Sequence, residues 1–484
     1  MDKILNTAVE SGLKFPISDI DKESLQLIPN NTFGVFVSVE RFHKLPKWPE
    51  EIHGCIGNWN DDFSTMDKTK IIDTIKKVSY DATWNDDRRK YFSMSIYSDI
   101  NSKYKIYFML NPVLKIDSET GIMENNQKFN NKEYGLIVRS ESTRATYLPE
   151  VFPNSDWISI KKSILKKASS YNENGFFYAY KSKIILKTIY DYLTNDIRYF
   201  FNNSYGDFIP YEVKNNNIIV DKDQDVRNLA SMNDILKLKL NNKTIEKIKL
   251  NCHYYKMKYL ENPLKMRQSA PFLMLLISYF YPNDALVNSI YNFLVNEIKT
   301  KTIELNFELG EILMSLACVN PTMIIDLLNK QVEKIYREEK TKDIKFDDEF
   351  KYNWHLKILQ NSQMITHPYF NHLMKKFIMY NKLYQDKETN FIAVNYEIVT
   401  GLLKNMKDNK YQHILEQILE NTIIELQKRK DKYGLYSFKD GTSRIDITGH
   451  VLNGIYNLGD IHQCSQTGGN YNVKKYRLVK NHHP

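Results

Sequence analysis

The sequence predicts an α+β domain over residues 1–195 followed by an all-α domain over residues 226–460. Strand-like and helix-like patterns are mixed in the first region, whereas the second contains one helical pattern after another. Between them, residues 196–225 are rich in Asn, Asp, Gly and Pro and show little periodicity, which is typical of a linker. Residues 461–484 are predicted to form a C-terminal tail.

Patterning defines the elements of the first region. Residues 70–83 place Ile and Val at helical spacing, so they predict an amphipathic helix. Asp156 precedes a second amphipathic pattern over residues 157–168 and is a typical helix cap. Alternating or aromatic-rich patterns predict four strands. These are the segments 33–41, 91–97, 104–110 and 134–139.

Helical periodicity dominates the second region, and turn signals such as Asn320-Pro321 separate the segments. No sequence repeat of fixed period is visible, so a regular solenoid is not indicated. We predict eleven helices there. They are 226–239, 243–259, 263–281, 284–300, 306–318, 321–338, 351–362, 367–384, 393–406, 411–430 and 446–458.

Composition limits the classes of function. A chain of 484 residues that is 42% hydrophobic is typical of a folded protein. Only 4 Cys argue against a disulfide framework, so we expect a reducing, cytoplasmic location. The longest apolar run, residues 272–281, is about half the roughly 20 residues that a membrane helix needs. The 67 basic residues face 58 acidic ones, and the net charge of +9 alone does not indicate nucleic-acid binding.

The segment His53-Gly54-Cys55-Ile56-Gly57 is the first candidate site. Paired glycines let the backbone turn tightly and approach another group closely. The cysteine could act as a nucleophile, ligate a metal or fill a buried position, and a nucleophile needs a lowered thiol pKa. On a regular strand, His53 and Cys55 would share a face. Arg88 and Arg89, in the turn Trp84–Phe92, could supply positive charge if the fold brings them near.

This segment, together with a following helix and the stretch NDDRRKYFSMSI, resembles the AMMECR family domain. The resemblance continues through Tyr134–Val138 (YGLIV), Arg144–Val151 (RATYLPEV), Trp157 and Lys167-Ala168, and covers about a third of the chain. It implies an α+β domain of two packed subdomains with the Cys motif near a cleft. It implies no particular reaction, because the family has no settled substrate.

The resemblance also suggests site residues. Cys55, His53 and Arg88 are the catalytic candidates, although His53 stands where the family usually has Arg. The ligand-binding candidates are Gly54, Ile56, Gly57, Asp87 and Thr146, and Leu148 and Pro149 also match the family pattern. Any cofactor is unknown at this point. We predict no metal site, since the sequence has neither a Cys-x-x-Cys nor a His-Glu-x-x-His motif.

In the helical region, Glu397, Asp446 and His450 are candidates for an acid/base site. Asp446 and His450 are four residues apart and would share one face of a helix. Capping by Asp446 and core packing by His450 is the alternative interpretation. Aromatic loops before two late helices are faintly similar to α/α toroids, such as sugar epimerases, glycosidases and terpene-type cyclases.

Three functions remain open at this point. The first is an enzyme or binding protein for an unknown small molecule, acting through the Cys55 motif. The second is a non-catalytic module whose partner is another protein. The third is a toroid enzyme in the helical region that acts on a sugar or an isoprenoid.

Overall fold

The computed structural model describes residues 1–41, 52–92, 95–140, 143–168, 175–204, 206–300, 349–361, 364–381, 387–405 and 410–464, with a few helical residues between 312 and 337. The chain divides into two compact units. Unit 1 comprises Met1–Ser93 and Asn101–Tyr192, and unit 2 comprises Met94–Ile100 and Leu193–Pro484.

Unit 1 is an α+β fold built on one antiparallel sheet. The sheet has six strands in the order β2-β1-β3-β6-β4-β5. Its elements are α1 (Asp2–Gly12), α2 (Lys22–Gln26), β1 (Thr32–Glu40), β2 (Ile52–Trp59), α3 (Lys68–Trp84), β3 (Lys103–Ile116), β4 (Gly135–Arg139), β5 (Arg144–Tyr147), α4 (Trp157–Lys167) and β6 (Phe176–Thr188), and helix α5 (Ile189–Asn203) follows.

Helices cover the sheet of unit 1 at two places. Helices α1 and α3 pack on each other and on strands β1 and β3. Helix α4 contributes Trp157, Ile160 and Ile164 to a second core with strands β4 and β6. Because successive residues of a strand point to opposite faces, β1 can bury both Val37 and Phe36. The sheet is therefore buried on both faces where the Cys motif joins it.

The predicted α+β class of the N-terminal region is confirmed. The strand predictions 33–41, 104–110 and 134–139 are confirmed, and Asp156 caps α4 by accepting a hydrogen bond from the Ser159 amide at 2.9 Å. The strand predicted over residues 91–97 is wrong for its described residues. They end one 3₁₀ turn, Asp87–Tyr91, and begin another, Ile96–Ser98, because the Asp86 and Ser95 side chains cap these turns.

Unit 2 is mostly helical, as predicted. Its small sheet, of order β8-β7-β9, joins β7 (Glu212–Lys214) and β8 (Asn217–Ile219) to β9 (Ser443–Arg444). The described helices are α6 (Asp225–Ile235), α7 (Asn242–Glu261), α8 (Ala270–Phe280), α9 (Ala285–Thr300), α10 (Glu349–Asn361), α11 (Pro368–Tyr380), α12 (Thr389–Asn405), α13 (Gln412–Lys428) and α14 (Ile445–Cys464).

Helix α12 is the most buried helix described in unit 2. It packs against α10, α13 and α14, and its buried residues follow one another all around the helix. A helix buried on all sides would normally be apolar. Helix α12 instead places Asn395, Glu397 and Thr400 inside, so this part of the core is polar.

Some predicted segments differ from the observed elements or lie outside the described residues. Residues 196–225, predicted as a linker, contain the end of α5 and the β7–β8 hairpin. Most of the predicted helices 306–318 and 321–338 and the last 20 residues lie outside the described residues. The described part of the chain contains no helix that is both long and apolar enough to cross a membrane.

Candidate functional site

The Cys motif lies on β2, an edge strand of the unit 1 sheet. Cys55 is opposite Ser38 of β1, and Gly54 is opposite Val39. The register then shifts, so that Ile52 faces Glu40 and His53 is the additional residue of a β-bulge. The bulge breaks the regular alternation of side chains at the point where the motif begins.

His53 and Cys55 consequently have different neighbours. His53 is buried, its Nε2 lies 2.9 Å from the Thr83 carbonyl oxygen at the end of α3, and its ring lies beside Phe92. Burial, with the nearby charge of Arg41, lowers the pKa of His53 to about 4. His53 is therefore neutral at pH 7 and is bonded to the backbone of α3.

The two glycines permit close packing on opposite faces of β2. A Cβ atom on Gly54 would lie 1.8 Å from the Ala82 carbonyl oxygen of α3. A Cβ atom on Gly57 would lie 2.2 Å from the ring of Phe36 in β1. Both positions need glycine because a neighbouring group already fills that space. Ile56 lies between them, opposite Val37 and partly buried.

Arg88 reaches Cys55 through Asp86. The Asp86 carboxylate accepts a hydrogen bond from the Cys55 amide at 3.0 Å, and Arg88 donates to both Asp86 oxygens at 2.8 and 2.7 Å. Arg88 also donates to the Cys55 carbonyl oxygen at 3.3 Å. Burial opposes ionisation of Asp86, but these bonds outweigh it and lower its pKa. Asp87, the neighbouring candidate, is exposed.

The thiol of Cys55 is not an activated thiolate. Burial raises the pKa of the Cys55 thiol to about 11, although the charges of Arg88 and Lys167 act in the opposite direction. The residue retains partial exposure to solvent. At neutral pH the thiol is therefore protonated, and a nucleophilic role of Cys55 stays a prediction.

The backbone of Thr146 binds Lys167, whose charge acts on the Cys55 thiol. Its hydroxyl donates to the Leu136 carbonyl oxygen at 2.9 Å, inside the sheet, and its own carbonyl oxygen accepts a bond from Lys167 Nζ at 2.8 Å. Surrounding protein partly desolvates the ammonium and lowers the pKa of Lys167, although much of the residue is open to solvent. The Lys167 and Arg88 charges both act on Cys55.

Three contributors were not among the predicted site residues. Asp86 orients Arg88, Lys167 supplies the second cation, and Ser38 bonds to the thiol from β1. Asp86 and Lys167 lie within the motifs that carry the family resemblance, so the sequence did contain a signal for them. The sequence contained no signal for Ser38, because its position next to Cys55 depends on the pairing of β1 with β2.

The structure brings two of the three helical candidates together. Glu397 and His450 do meet, with Oε2 and Nδ1 2.9 Å apart, and Lys357 Nζ lies 3.0 Å from the same oxygen. Asp446 instead binds Arg444 through two hydrogen bonds, at 3.0 and 2.6 Å. Lys357 was not predicted. Within the described ranges, no group of three or more His, Cys, Asp or Glu side chains could hold a metal ion.

The family model AMMECR1 matches residues 3–184. These residues form an AMMECR1 domain, and the C-terminal half matches no family. No curated protein matches the chain. A crystal structure of the uncharacterised protein PH0010 from Pyrococcus horikoshii is similar at 18% sequence identity. The match covers 38% of this chain and 88% of that protein, with a TM-score of 0.30.

Proposed function

We propose that the AMMECR1 domain binds a small anionic molecule at the site formed by Cys55, Arg88 and Lys167, in a reducing cytoplasm. The observation that carries this proposal is that two cations from distant parts of the sequence act on the thiol of Cys55, a partly exposed residue. Arg88 comes from a 3₁₀ turn and Lys167 from the end of α4. Enzymatic turnover at this site is compatible with the proposal but is not required by it.

The two cations have complementary roles in this proposal. Asp86 holds the Arg88 guanidinium by two bonds, which fixes its orientation at low cost in side-chain entropy. Lys167 makes one hydrogen bond among the described residues, so its ammonium has donors left for a ligand. A carboxylate or phosphate group is the ligand chemistry that such a pair of cations stabilises.

The thiol acts as a neutral contact in this site. A bound anion next to Cys55 disfavours the thiolate further, so the protonated thiol can donate a weak hydrogen bond to the ligand. This assignment supports binding rather than nucleophilic attack by Cys55. A covalent role would require another group to remove the proton, and His53 is bonded to the backbone of α3.

Alkylation of Cys55 tests the anion site directly. Iodoacetate carries a carboxylate and iodoacetamide is neutral, so the ratio of their rates at Cys55 measures the local attraction of an anion. We expect Lys167→Gln to lower this ratio about fivefold, the effect of roughly 1 kcal/mol of charge attraction. Lys166→Gln is the matched control, since Lys166 is an exposed lysine of the same helix.

Peptide mass spectrometry reads Cys55 separately from the other cysteines. The rate should rise about tenfold per pH unit well beyond pH 9, because the thiol pKa is about 11. An equal ratio in wild type and Lys167→Gln would contradict the anion site. Reaction only after unfolding would show that Cys55 serves packing alone.

A non-catalytic interaction module is the second candidate. Helix α7 carries Leu250, Tyr254 and Met257 on one face, at helical spacing, and they are 65%, 37% and 46% exposed. Exposed apolar side chains in a row are typical of a binding surface. Substituting Leu250 and Met257 with Ser should leave Cys55 alkylation unchanged and abolish any self-association seen by light scattering.

A toroid enzyme acting on a sugar or an isoprenoid is the third candidate. The contact between Glu397 and His450 favours an acid/base site in unit 2. The Asp446 carboxylate, however, binds Arg444 and lies near Arg227, so it does not join this contact. A toroid also requires a closed ring of helix pairs. The described helices do not establish such a ring, so the α/α toroid stays a prediction.

A further inference from the structure

The centre of unit 2 contains a buried group of opposite charges. Lys357 of α10 and Glu397 of α12 have side chains that are only 4% and 7% exposed. Burying charges is costly unless they are paired and hydrogen-bonded. The Glu397 carboxylate receives both Lys357 Nζ, at 3.0 Å, and His450 Nδ1, at 2.9 Å, on one oxygen. Three helices of the unit thus converge on a single carboxylate.

This arrangement fixes which nitrogen of His450 carries the proton. Burial alone would raise the pKa of Glu397, but the Lys357 charge and the His450 hydrogen bond hold it at about 2. An ionised carboxylate only accepts hydrogen bonds, so Nδ1 of His450 must be the donor. In the neutral imidazole the lone pair then lies on Nε2.

The His450 ring is placed between the buried carboxylate and solvent. Its side chain is 20% exposed, and one edge contacts the ring of Trp354 at a centroid distance of 5.8 Å. Within the described part of unit 2, Nε2 has no hydrogen-bond partner. An accessible, oriented imidazole with its lone pair outward has the geometry of a general base.

Cations lie one helical turn away. Asp446 shares a face of α14 with His450, binds Arg444 by two hydrogen bonds and lies 3.6 Å from the Nε of Arg227. The Arg227 side chain is 42% exposed, and its guanidinium also donates to the Tyr211 hydroxyl. This pair of arginines suits an anionic group on a molecule that reaches His450.

We propose that His450 is the general base of a second site, in unit 2, for a small anionic substrate, and that Glu397 and Lys357 are its positioning residues. The proton of a substrate hydroxyl moves to Nε2, and the electron pair of the O–H bond stays on the substrate oxygen. Glu397 remains ionised and stabilises the imidazolium that forms. The proposal requires neither the Cys55 site nor a toroid.

Carbethoxylation by diethyl pyrocarbonate tests this on the full chain, because the reagent reacts with a neutral imidazole that solvent reaches. Peptide mass spectrometry gives the rate at each histidine. We expect His450 to react at least as fast as His413, which is exposed, and far faster than the buried His53 and His355. Glu397→Gln should lower the His450 rate about tenfold, because a glutamine amide can donate to Nδ1 and so move the imidazole proton to Nε2.

Protection of His450 by phosphate tests whether the substrate is anionic. Inorganic phosphate should slow the reaction at His450 but not at His413, and Arg227→Gln should remove this protection. Absence of protection in the wild-type protein would overturn the anionic class of substrate.

A purely structural role gives a different result. His450 would then react no faster than His53 and His355 until the protein unfolds, or Glu397→Gln would leave its rate unchanged. Either result overturns the proposal. If Glu397→Gln does not fold, the comparison of the four histidines in the wild-type protein still decides.

Discussion

The two units use ion pairs in contrasting surroundings. In unit 1, Arg88 and Asp86 lie beside Cys55, with side chains that are 28% and 9% exposed. In unit 2, Lys357 and Glu397 are almost completely enclosed. Water reaches the first pair through Arg88, whereas neither member of the second pair is open to water, so losing a partner should cost less in unit 1. The comparison teaches that similar contact distances, 2.7 and 3.0 Å, imply different energetic consequences.

Breaking the buried pair should have the largest effect. Lys357→Met leaves the Glu397 carboxylate without its ammonium, so we expect the free energy of unfolding to fall by about 3–5 kcal/mol. Arg88→Gln should cost less, about 1–2 kcal/mol, because Asp86 keeps its hydrogen bonds from the Cys55 and Arg88 amides. Urea unfolding at pH 7 measures both.

The double variant Lys357→Met with Glu397→Leu is the control for the buried pair. It removes both charges and should recover most of the lost stability, because a well-packed apolar pair is often as stable as a buried ion pair. Equal costs for Lys357→Met and Arg88→Gln would refute the contrast between the two units.

A smaller effect is expected from the glycines of the Cys motif. Gly54→Ala forces a Cβ against the backbone of α3, so we expect a loss of about 3 kcal/mol. Gly57→Ala meets the side chain of Phe36 rather than backbone, and should cost less. Gly459→Ala is the control, because its Cβ would make an ordinary contact at 3.6 Å within a helix. Thermal melts rank the three variants, and a larger loss for Gly57→Ala than for Gly54→Ala would be evidence against the packing described for β2.

Acid should lower the free energy of unfolding of the two units in different pH ranges, by about 2 kcal/mol or less. The folded-state pKa of His53, about 4, lies below the unfolded value of about 6.5. The unfolded chain therefore takes up a proton first, and stability falls as pH drops through this window. Between pH 7 and 5, the wild-type protein should lose about 2 kcal/mol more than His53→Gln.

The Glu397 contribution follows a lower pH window. Its folded-state pKa, about 2, is below the usual value for Glu, so its stabilisation is present above pH 4.5 and disappears as pH falls towards 2. Urea unfolding of Glu397→Gln should parallel the wild type between pH 7 and 5. A His53→Gln variant with unchanged pH dependence in that interval would show that His53 is solvated in the folded protein.

Local patterns predicted much of the fold, because strands such as β1 alternate and helices such as α3 are periodic. Strand β6 was missed since Lys181, Lys183 and Lys187 interrupt its apolar pattern, and Lys187 is nevertheless buried by pairing with α1. The site was harder to predict. The bulge at His53 comes from pairing with β1, and the burial of Lys357 depends on a partner 40 residues away in sequence, at Glu397.

The small sheet of unit 2 has a consequence for synthesis. Strand β7, near residue 213, pairs with Ser443, and the turn Ile96–Ser98 packs against α13. A ribosome adding 5–20 residues per second needs roughly 10–50 s to pass from residue 213 to residue 443. During that interval β7 is paired with β8 but not yet with β9, and the turn Ile96–Ser98 lacks α13, while the sheet of unit 1 is already complete at Thr188. The nascent chain therefore carries the complete sheet of unit 1 beside an incomplete unit 2. The apolar helix α8 is the segment of unit 2 that a chaperone would most need to cover during this interval.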